Sequence, residues 1–260
     1  MSLLSVKGLS KRFGGLLAVN DLDLEVVAGE VIGLIGPNGA GKTTIVSLLT
    51  GTLKATTGKI ILNGKDVTGL APHERCRLGM TKTFQIPQPF SSMTVHENVS
   101  LAASFGRGGR VHSKQEVLRI TARALELGGL AKMARESTST MNTAGLKRLE
   151  VCRCLAAEPD LLLLDEPLGG LNPTEANEAT AMMRTLKQAG ITMLLVEHVV
   201  PAVMSISDRV VVLVGGAKLV EATPAEVLED VRVQRAYLGD LSGALSRRAA
   251  PRAVANEEVA

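Results

Sequence analysis

Gly36-Pro37-Asn38-Gly39-Ala40-Gly41-Lys42-Thr43 decides the fold of this chain, because it follows the spacing GxxxxGK[ST]. An apolar run, Val31 to Ile35, precedes it, and a second apolar segment begins at Thr44. In a strand, glycine loop and helix of this kind, backbone N–H groups and the positive end of the helix face phosphate oxygens. The sequence therefore predicts an α/β protein with a nucleotide-binding core.

The chemistry expected of this loop is the binding of ATP and Mg²⁺. Lys42 supplies a mobile positive charge for the β- and γ-phosphates, and the hydroxyl of Thr43 is a ligand for Mg²⁺. A glycine-rich turn without a ligand is the alternative. The nucleotide contacts are expected from Gly36, Pro37, Asn38, Gly39, Ala40, Gly41, Lys42, Thr43 and Thr44.

The composition limits the classes of protein to consider. The chain has 260 residues, of which 45% are hydrophobic, and its net charge of +3 is too small to indicate a nucleic-acid partner. We expect no segment that crosses a bilayer, which takes roughly 18 apolar residues, and no secretory signal, so any membrane role is peripheral. Three cysteines are too few for a disulfide framework and indicate a reducing compartment.

The apolar pattern divides the chain into strand-rich and helical parts. Residues 6–31 alternate apolar and polar side chains and predict short strands joined by turns, and Asn63-Gly64 predicts a hairpin. A helical pattern follows from about residue 95 to residue 157. Three unbroken apolar runs then predict strands of a parallel sheet that are buried on both faces: Leu161 to Leu164, Ile191 to Val196 and Val210 to Val214.

Polar side chains follow two of these apolar runs. Asp165 and Glu166 come directly after four leucines, where two carboxylates are costly unless a cation or a substrate meets them. Asp165 is the expected Mg²⁺ partner, and Glu166 is expected to polarise a water for attack on the γ-phosphate. His198 follows the next run and is a candidate γ-phosphate contact. An acidic loop and a structural histidine are the alternatives.

The three motifs, in this order and spacing, resemble the ATPase subunit of an ABC transporter over about residues 3–240. The resemblance implies the nucleotide-binding domain of a P-loop NTPase, with an N-terminal antiparallel β portion and an inserted helical subdomain at about residues 86–158. Residues 241–260, which are mostly small or charged, are predicted to form a disordered tail.

The resemblance also gives roles to two residues outside the three motifs. Gln85 matches the glutamine that touches Mg²⁺ and the attacking water and that links the nucleotide state to the membrane subunits; a polar loop residue is the alternative. Phe13 matches the aromatic side chain that stacks on adenine, and a place in the core is the alternative. The implied catalytic residues are Glu166, His198 and Gln85, and the implied Mg²⁺ site is Thr43, Gln85 and Asp165.

Four further strings are similar to the LivG-type ATPases of branched-chain amino-acid uptake: Ser10 to Leu16, Thr83 to Pro87 followed by Met93 to Val99, Glu166 to Pro173 and Arg235 to Gly239. This group implies ATP hydrolysis that drives import of a branched-chain amino acid or a related small solute. It also implies a second, nonidentical ATPase subunit in a head-to-tail dimer, two transmembrane permease subunits and, indirectly, a solute-binding protein. The expected place is the cytoplasmic face of the plasma (inner) membrane, with no nucleic acid bound.

The signature segment of the family departs from its usual pattern. Counting back from Arg148 without a gap places it at Met141 to Gly145, with Asn142, Thr143, Ala144 and Gly145 as the expected contacts. A one-residue gap would put Thr143 and Gly145 on the serine and the second glycine instead. In the family this segment binds the γ-phosphate of the ATP held by the opposite subunit. We expect Asn142 to cap the following helix and the methyl group of Ala144 to hinder close backbone approach.

Two other functions stay open at this point. With its altered signature, the subunit could be mainly a regulatory nucleotide-binding module with weak turnover. A soluble family member that acts on nucleic acid or ribosomes is the third reading, although such proteins usually carry two nucleotide-binding domains and this chain has room for one.

Overall fold

The described part of the chain, residues 2–105, 107–109 and 111–236 of a computed structural model, builds two β-sheets with α-helices around them. The strands are β1 (Ser2–Phe13), β2 (Leu16–Val27), β3 (Val31–Ile35), β4 (Thr57–Leu62), β5 (Lys65–Asp66), β6 (Met80–Lys82), β7 (Leu161–Asp165), β8 (Met193–Val196), β9 (Arg209–Val214) and β10 (Ala217–Ala222). The helices are α1 (Lys42–Thr50), α2 (Pro72–Arg77), α3 (Val95–Ser104), α4 (Lys114–Leu127), α5 (Thr143–Ala156), α6 (Pro173–Gln188), α7 (Val200–Ile206) and α8 (Pro224–Glu229).

An antiparallel sheet is built from the N-terminal part of the chain, in the order β2-β1-β4-β5. β1 and β2 have 12 residues each, so the prediction of short strands over residues 6–31 is wrong. Register shifts between the two strands let each strand bend without ending. The alternation of apolar and polar residues is therefore interrupted inside a continuous strand, and the interruptions do not mark turns. The hairpin predicted at Asn63-Gly64 is confirmed between β4 and β5, with φ angles of 49° and 75°.

The central sheet has the order β10-β9-β3-β8-β7-β6. β9, β3, β8, β7 and β6 run parallel, and β10 pairs antiparallel with β9. Alternate leucines of β7 enter two separate cores: Leu162 and Leu164 pack among the helices, whereas Leu161 and Leu163 pack with the antiparallel sheet and α1. The prediction of parallel strands buried on both faces is confirmed.

The α-helices α3, α4 and α5 lie between β6 and β7 and pack against one another, as the helical pattern predicts. The α/β fold with its antiparallel N-terminal portion and inserted helices is therefore confirmed. The domain limits 3–240 and the subdomain limits 86–158 stay predictions, and the predicted tail at 241–260 lies outside the described residues. Among the residues described, no helix combines the length and the apolar character needed to cross a membrane.

Candidate functional site

The phosphate-loop candidate joins the end of β3 to the start of α1. Gly41 caps α1 in the left-handed conformation, with φ of 97°, and a Cβ atom there would lie 2.5 Å from the carbonyl oxygen of Ala18. A Cβ atom at Gly36 would lie 2.4 Å from the carbonyl oxygen of Leu213. The loop therefore packs backbone to backbone against β2 and β9, and these two positions require glycine.

Lys42 lies inside this loop. Its side chain is only 7% exposed, and Nζ donates hydrogen bonds to the carbonyl oxygens of Gly36 at 2.6 Å and Pro37 at 3.1 Å. Burial lowers the pKa of Lys42, while the charges of Glu166 and Asp165 oppose that shift. The loop thus holds a cation at its centre with two acids close enough to influence it.

The outer surface of the loop is open to solvent. Asn38, Gly39 and Thr43 are exposed, and Thr44 is partly exposed in the first turn of α1. Ala40 is buried, at 2% exposure, so its methyl group belongs to the core rather than to a ligand surface. The exposed N-terminus of α1 therefore presents backbone N–H groups and the Thr43 hydroxyl on one accessible face.

The acids that follow β7 lie at the end of the parallel sheet. Asp165 pairs with Val196 of β8, is 7% exposed, and donates its backbone N–H to the Thr83 hydroxyl at 3.2 Å. Burial raises the pKa of Asp165, and the charges of Lys82 and Lys42 counteract it. Asp165 is thus a carboxylate held in a poorly solvated place, where a cation would stabilise its ionised form.

Glu166 leaves the strand in an unusual backbone conformation. Its φ angle is 49°, in the left-handed region that non-glycine residues rarely adopt. Its backbone N–H donates to the carbonyl oxygen of Val196 at 2.9 Å. This turn directs the side chain away from the path of β7, and Oε2 accepts a hydrogen bond from Nε2 of Gln85 at 2.9 Å.

The contact between Gln85 and Glu166 follows from the order of the strands. β6 ends at Lys82 and β7 ends at Asp165, and the two strands are parallel neighbours. Residues just beyond their ends therefore meet at the same edge of the sheet, where α/β proteins bind ligands. The structure brings together two of the three residues that the sequence places in the catalytic set.

His198 stands at the end of the next strand, β8. Its side chain is 56% exposed, and Nδ1 lies 3.7 Å from Oε2 of Glu197. Because β8 pairs with β7, His198 follows the strand that lies beside the two acids. An exposed imidazole at this edge of the sheet is accessible to a ligand. A histidine buried in the core, with its hydrogen bonds made inside the protein, would not be.

Phe13 lies at the tip of the hairpin between β1 and β2, where it pairs with Leu16. Its ring is 47% exposed and lies 5.1 Å from Nζ of Lys11, so the alternative of a core position is wrong. The carbonyl of Ala18, two residues beyond Leu16, makes the close approach to Gly41 described above. The start of β2, a few residues beyond the hairpin tip, therefore lies against the phosphate-loop candidate.

The altered signature segment forms the start of α5. Asn142 is the N-cap, and its side chain accepts the backbone N–H of Gly145 at 2.9 Å, which confirms the expected cap. Asn142 and Thr143 are exposed, but Ala144 is 8% exposed and lines a small cavity together with residues of α6. The expectation that the Ala144 methyl group obstructs an approaching ligand is therefore wrong, because that methyl faces the interior of its own subunit.

Comparison with known proteins identifies the family. Residues 19–169 match the family model described as ABC transporter. The chain is 40% identical over 250 residues to BraF of Pseudomonas aeruginosa, named a high-affinity branched-chain amino acid transport ATP-binding protein, and the match covers 92% of this chain and 98% of BraF. The chain belongs to the ABC transporter family. LivG of Escherichia coli K12, which carries the same description, is 40% identical over 255 residues, with 92% and 98% coverage.

Solved structures show the same ABC ATPase fold. MJ1267, described as an ATP-binding cassette of an ABC transporter, matches with a TM-score of 0.79 at 29% identity, over 91% of this chain and 99% of that chain. The ADP conformation of MJ1267 matches with a TM-score of 0.78 at 29% identity, over 92% of this chain and 99% of that chain. The prediction of an ABC ATP-binding subunit, an ATPase coupled to transport, is confirmed.

The donors near the loop suit Mg²⁺ held together with a nucleotide. Asp165, Thr43 and Gln85 offer a carboxylate, a hydroxyl and an amide, and Mg²⁺ prefers oxygen ligands. Within the described ranges, no group of three or more His, Cys, Asp or Glu side chains could hold a metal alone. When the protein supplies only a few ligands beside a phosphate loop, the ion takes its remaining ligands from substrate phosphates and water, as Mg²⁺ commonly does.

Two residues next to the ABC ATPase site escaped the sequence analysis. Glu197 is fully buried and accepts the backbone N–H groups of Leu168 at 2.6 Å and His198 at 3.1 Å. The sequence does contain a signal for Glu197, because Glu197 comes directly after the apolar run of β8, just as Asp165 comes directly after the leucines of β7. Lys147 donates to the carbonyl oxygen of Glu166 at 2.9 Å. No pattern marks Lys147, since this contact depends on how α5 packs against a distant loop.

Proposed function

We propose that this chain hydrolyses ATP to drive the import of branched-chain amino acids or a related small solute. The observation that carries the proposal is the arrangement around Lys42, whose buried ammonium group lies within the influence of Asp165 and Glu166. The solute class rests on the names of BraF and LivG, each of which shares 40% identity over nearly its whole length with this chain. The solute itself does not meet this subunit.

The residues at the edge of the sheet divide the work of hydrolysis. The loop N–H groups and Lys42 bind the phosphates, and Phe13 stacks on the adenine. Glu166 orients and polarises the attacking water, and Gln85 fixes the position of the Glu166 carboxylate through their hydrogen bond. His198 contacts the γ-phosphate. Thr43, Asp165 and Gln85 hold Mg²⁺, which when bound neutralises charge that develops on the phosphates.

A second ATPase subunit completes the assembly in a head-to-tail dimer. The exposed N-terminus of α5, with Asn142 as its cap, is the surface offered to the ATP of that subunit. A helix N-terminus is suited to a phosphate group by its dipole and its N–H groups. The resemblance to the LivG type favours a nonidentical partner, and no nucleic acid takes part.

The permease subunits are proposed to dock on the groove beside the loop that carries Gln85. This groove has a volume of about 410 Å³ and includes the exposed rings of Phe84 and Phe105. Exposed apolar side chains grouped in this way mark an interaction surface. Contact there would place the chain on the cytoplasmic face of the plasma membrane as a peripheral subunit, with a solute-binding protein acting through the permeases.

The regulatory alternative gains no support from the described residues. Asn142 caps α5, and the methyl group of Ala144 is buried, so the changed signature leaves the helix N-terminus accessible. Glu166 and Gln85 are both in place at the strand ends. We therefore propose that the chain turns over ATP rather than only binding it.

Uptake of labelled leucine, isoleucine and valine by cells lacking the gene tests this function. The deletion should abolish a high-affinity component of uptake, and the intact chain should restore it. Lys42→Ala should fail to restore uptake, whereas Lys54→Ala, at an exposed lysine, should succeed. Unchanged uptake of all three amino acids in the deletion would overturn the solute class, and rescue by Lys42→Ala would overturn the role of the loop.

A further inference from the structure

Helix α5 touches the main chain of Glu166 through one side chain. Lys147 lies one helical turn after Thr143, and its Nζ donates to the Glu166 carbonyl oxygen at 2.9 Å. The same oxygen accepts the backbone N–H of Gly169 at 3.1 Å. The turn that follows Glu166 is therefore closed on itself and is also fastened to α5.

The surroundings of Lys147 keep its ammonium group at this place. Glu197, which is fully buried, and Glu166 both act on it electrostatically, and their charges oppose the lowering of the Lys147 pKa by burial. Glu197 in turn accepts the N–H of Leu168, within the turn, and of His198. Two charged side chains, Lys147 and Glu197, therefore hold the turn.

The backbone of Glu166 needs such support. A non-glycine residue at a φ of 49° is strained, and strained residues persist only where their surroundings fix them. A lysine bonded to the carbonyl of the strained residue acts on the next peptide plane and so limits rotation about its ψ angle. We expect loss of that bond to loosen the backbone at Glu166 and with it the direction of the side chain towards Gln85, even though the Gly169 bond remains.

We propose that Lys147 is a positioning residue, which holds the Glu166 backbone so that its carboxylate stays oriented for the attacking water. Lys147 itself touches no substrate. The contact also joins the exposed start of α5, which faces the partner's ATP in the proposed dimer, to the centre of this chain's own site. The inference rests on the proposed role of Glu166.

Substitution of Lys147 in the complex purified through a tag on this chain, with the matching glutamate of the ATPase partner replaced in every sample, provides the test. Lys147→Met should lower kcat about 10- to 100-fold, the range for loss of a hydrogen bond from a charged donor, with little change in KM for ATP. Lys147→Arg should keep most of the turnover because it restores a charged donor. Lys147→Gln has a shorter and neutral side chain and should lower kcat as Lys147→Met does. It replaces Lys147→Met in the test if that variant folds poorly.

Lys187 offers a matched control. It also donates to a backbone carbonyl, that of Ile206 at 2.8 Å, and pairs with Asp208 at 2.6 Å, but it lies on α6 and takes no part in the site. Lys187→Met should affect thermal stability to a similar degree and leave kcat unchanged. Equal kcat values for the Lys147 and Lys187 variants would overturn the proposal.

A double variant separates the positioning role from a general loss of structure. Once Glu166→Gln has removed the carboxylate, adding Lys147→Met should reduce the residual turnover no further, since Lys147 acts through Glu166. If the fold-losses in turnover of the two single variants multiplied in the double variant, the proposal would be contradicted. In this partner-replaced complex, unchanged turnover in Glu166→Gln alone would overturn the proposed function itself, whereas a loss there with none in Lys147→Met would overturn only this inference.

Discussion

The side-chain amide of Gln85 donates a hydrogen bond to the carboxylate of Glu166, with 2.9 Å between Nε2 and Oε2. The two residues are 81 positions apart in the sequence and meet because β6 and β7 are parallel neighbours. Gln85 also lies in the loop next to Phe84, which lines the apolar groove proposed for the permeases. A movement of that loop would therefore act directly on the proposed base.

Gln85→Ala should lower ATP turnover about 10- to 100-fold, because an ionised carboxylate would lose one hydrogen-bond donor. KM for ATP should change less than kcat, since the loop and Lys42 supply most of the phosphate contacts and Gln85 is only one of three proposed Mg²⁺ ligands. Gln88→Ala, at an exposed glutamine of the same loop, is the control and should behave as the wild type. Equal effects of the two substitutions on turnover would contradict the role given to Gln85.

Asp165→Asn should stabilise the protein while it destroys function. Burial raises the pKa of Asp165, so its ionised form costs stability at neutral pH, and a neutral amide of the same size removes that cost. Denaturation without ATP or Mg²⁺ should show a higher free energy of unfolding for the variant at pH 7. Mg²⁺-dependent ATP hydrolysis should be lost.

The pH dependence of that gain follows from the sign of the shift. A raised pKa means that the folded protein binds this proton more tightly than the unfolded chain, so the wild type gains relative stability as pH falls through the raised pKa. The gain in free energy of unfolding of Asp165→Asn over the wild type should therefore be largest at pH 7. It should shrink as the pH falls towards 3.8, the ordinary pKa of an aspartate. An advantage that grows on acidification would contradict the account.

Ala144→Gly should not activate the enzyme, although it brings the signature closer to the usual pattern. The Ala144 methyl group is buried within its own subunit, and glycine in a helix costs about 0.5–1 kcal/mol relative to alanine. We expect a lower melting temperature and no gain in ATP hydrolysis. Ala181→Gly, at an exposed position of α6, controls for the helix effect alone. Faster hydrolysis by Ala144→Gly would restore the steric explanation.

Most of the fold could be predicted because its elements carry local signals. The loop from Gly36 to Thr43 has a fixed spacing, and the four leucines of β7 show burial on both faces. The lengths of β1 and β2 could not be predicted, because bulges interrupt the alternation without ending a strand. The hairpin at Asn63-Gly64 was predictable because those two residues tolerate positive φ angles.

The site was only partly visible in the sequence. Residues at strand ends, such as Asp165, Glu166 and His198, could be placed together because parallel strands end at one edge of the sheet. The direction of the Ala144 methyl group could not be predicted, since it depends on the packing of α5 against α6. The contact of Lys147 with Glu166 was hidden for the same reason.

The most direct test of the account is steady-state ATP hydrolysis by the complex with Glu166→Gln in this chain and the matching glutamate of its ATPase partner also replaced. Hydrolysis should fall about 10²- to 10⁴-fold relative to a complex with only the partner replaced, as expected for loss of a general base. Equilibrium binding of a fluorescent ATP analogue should be unchanged, and Glu126→Gln, at an exposed residue of α4, should alter neither property. Hydrolysis at the rate of the reference complex, with ATP binding intact, would contradict the central claim that Glu166 activates water at this site.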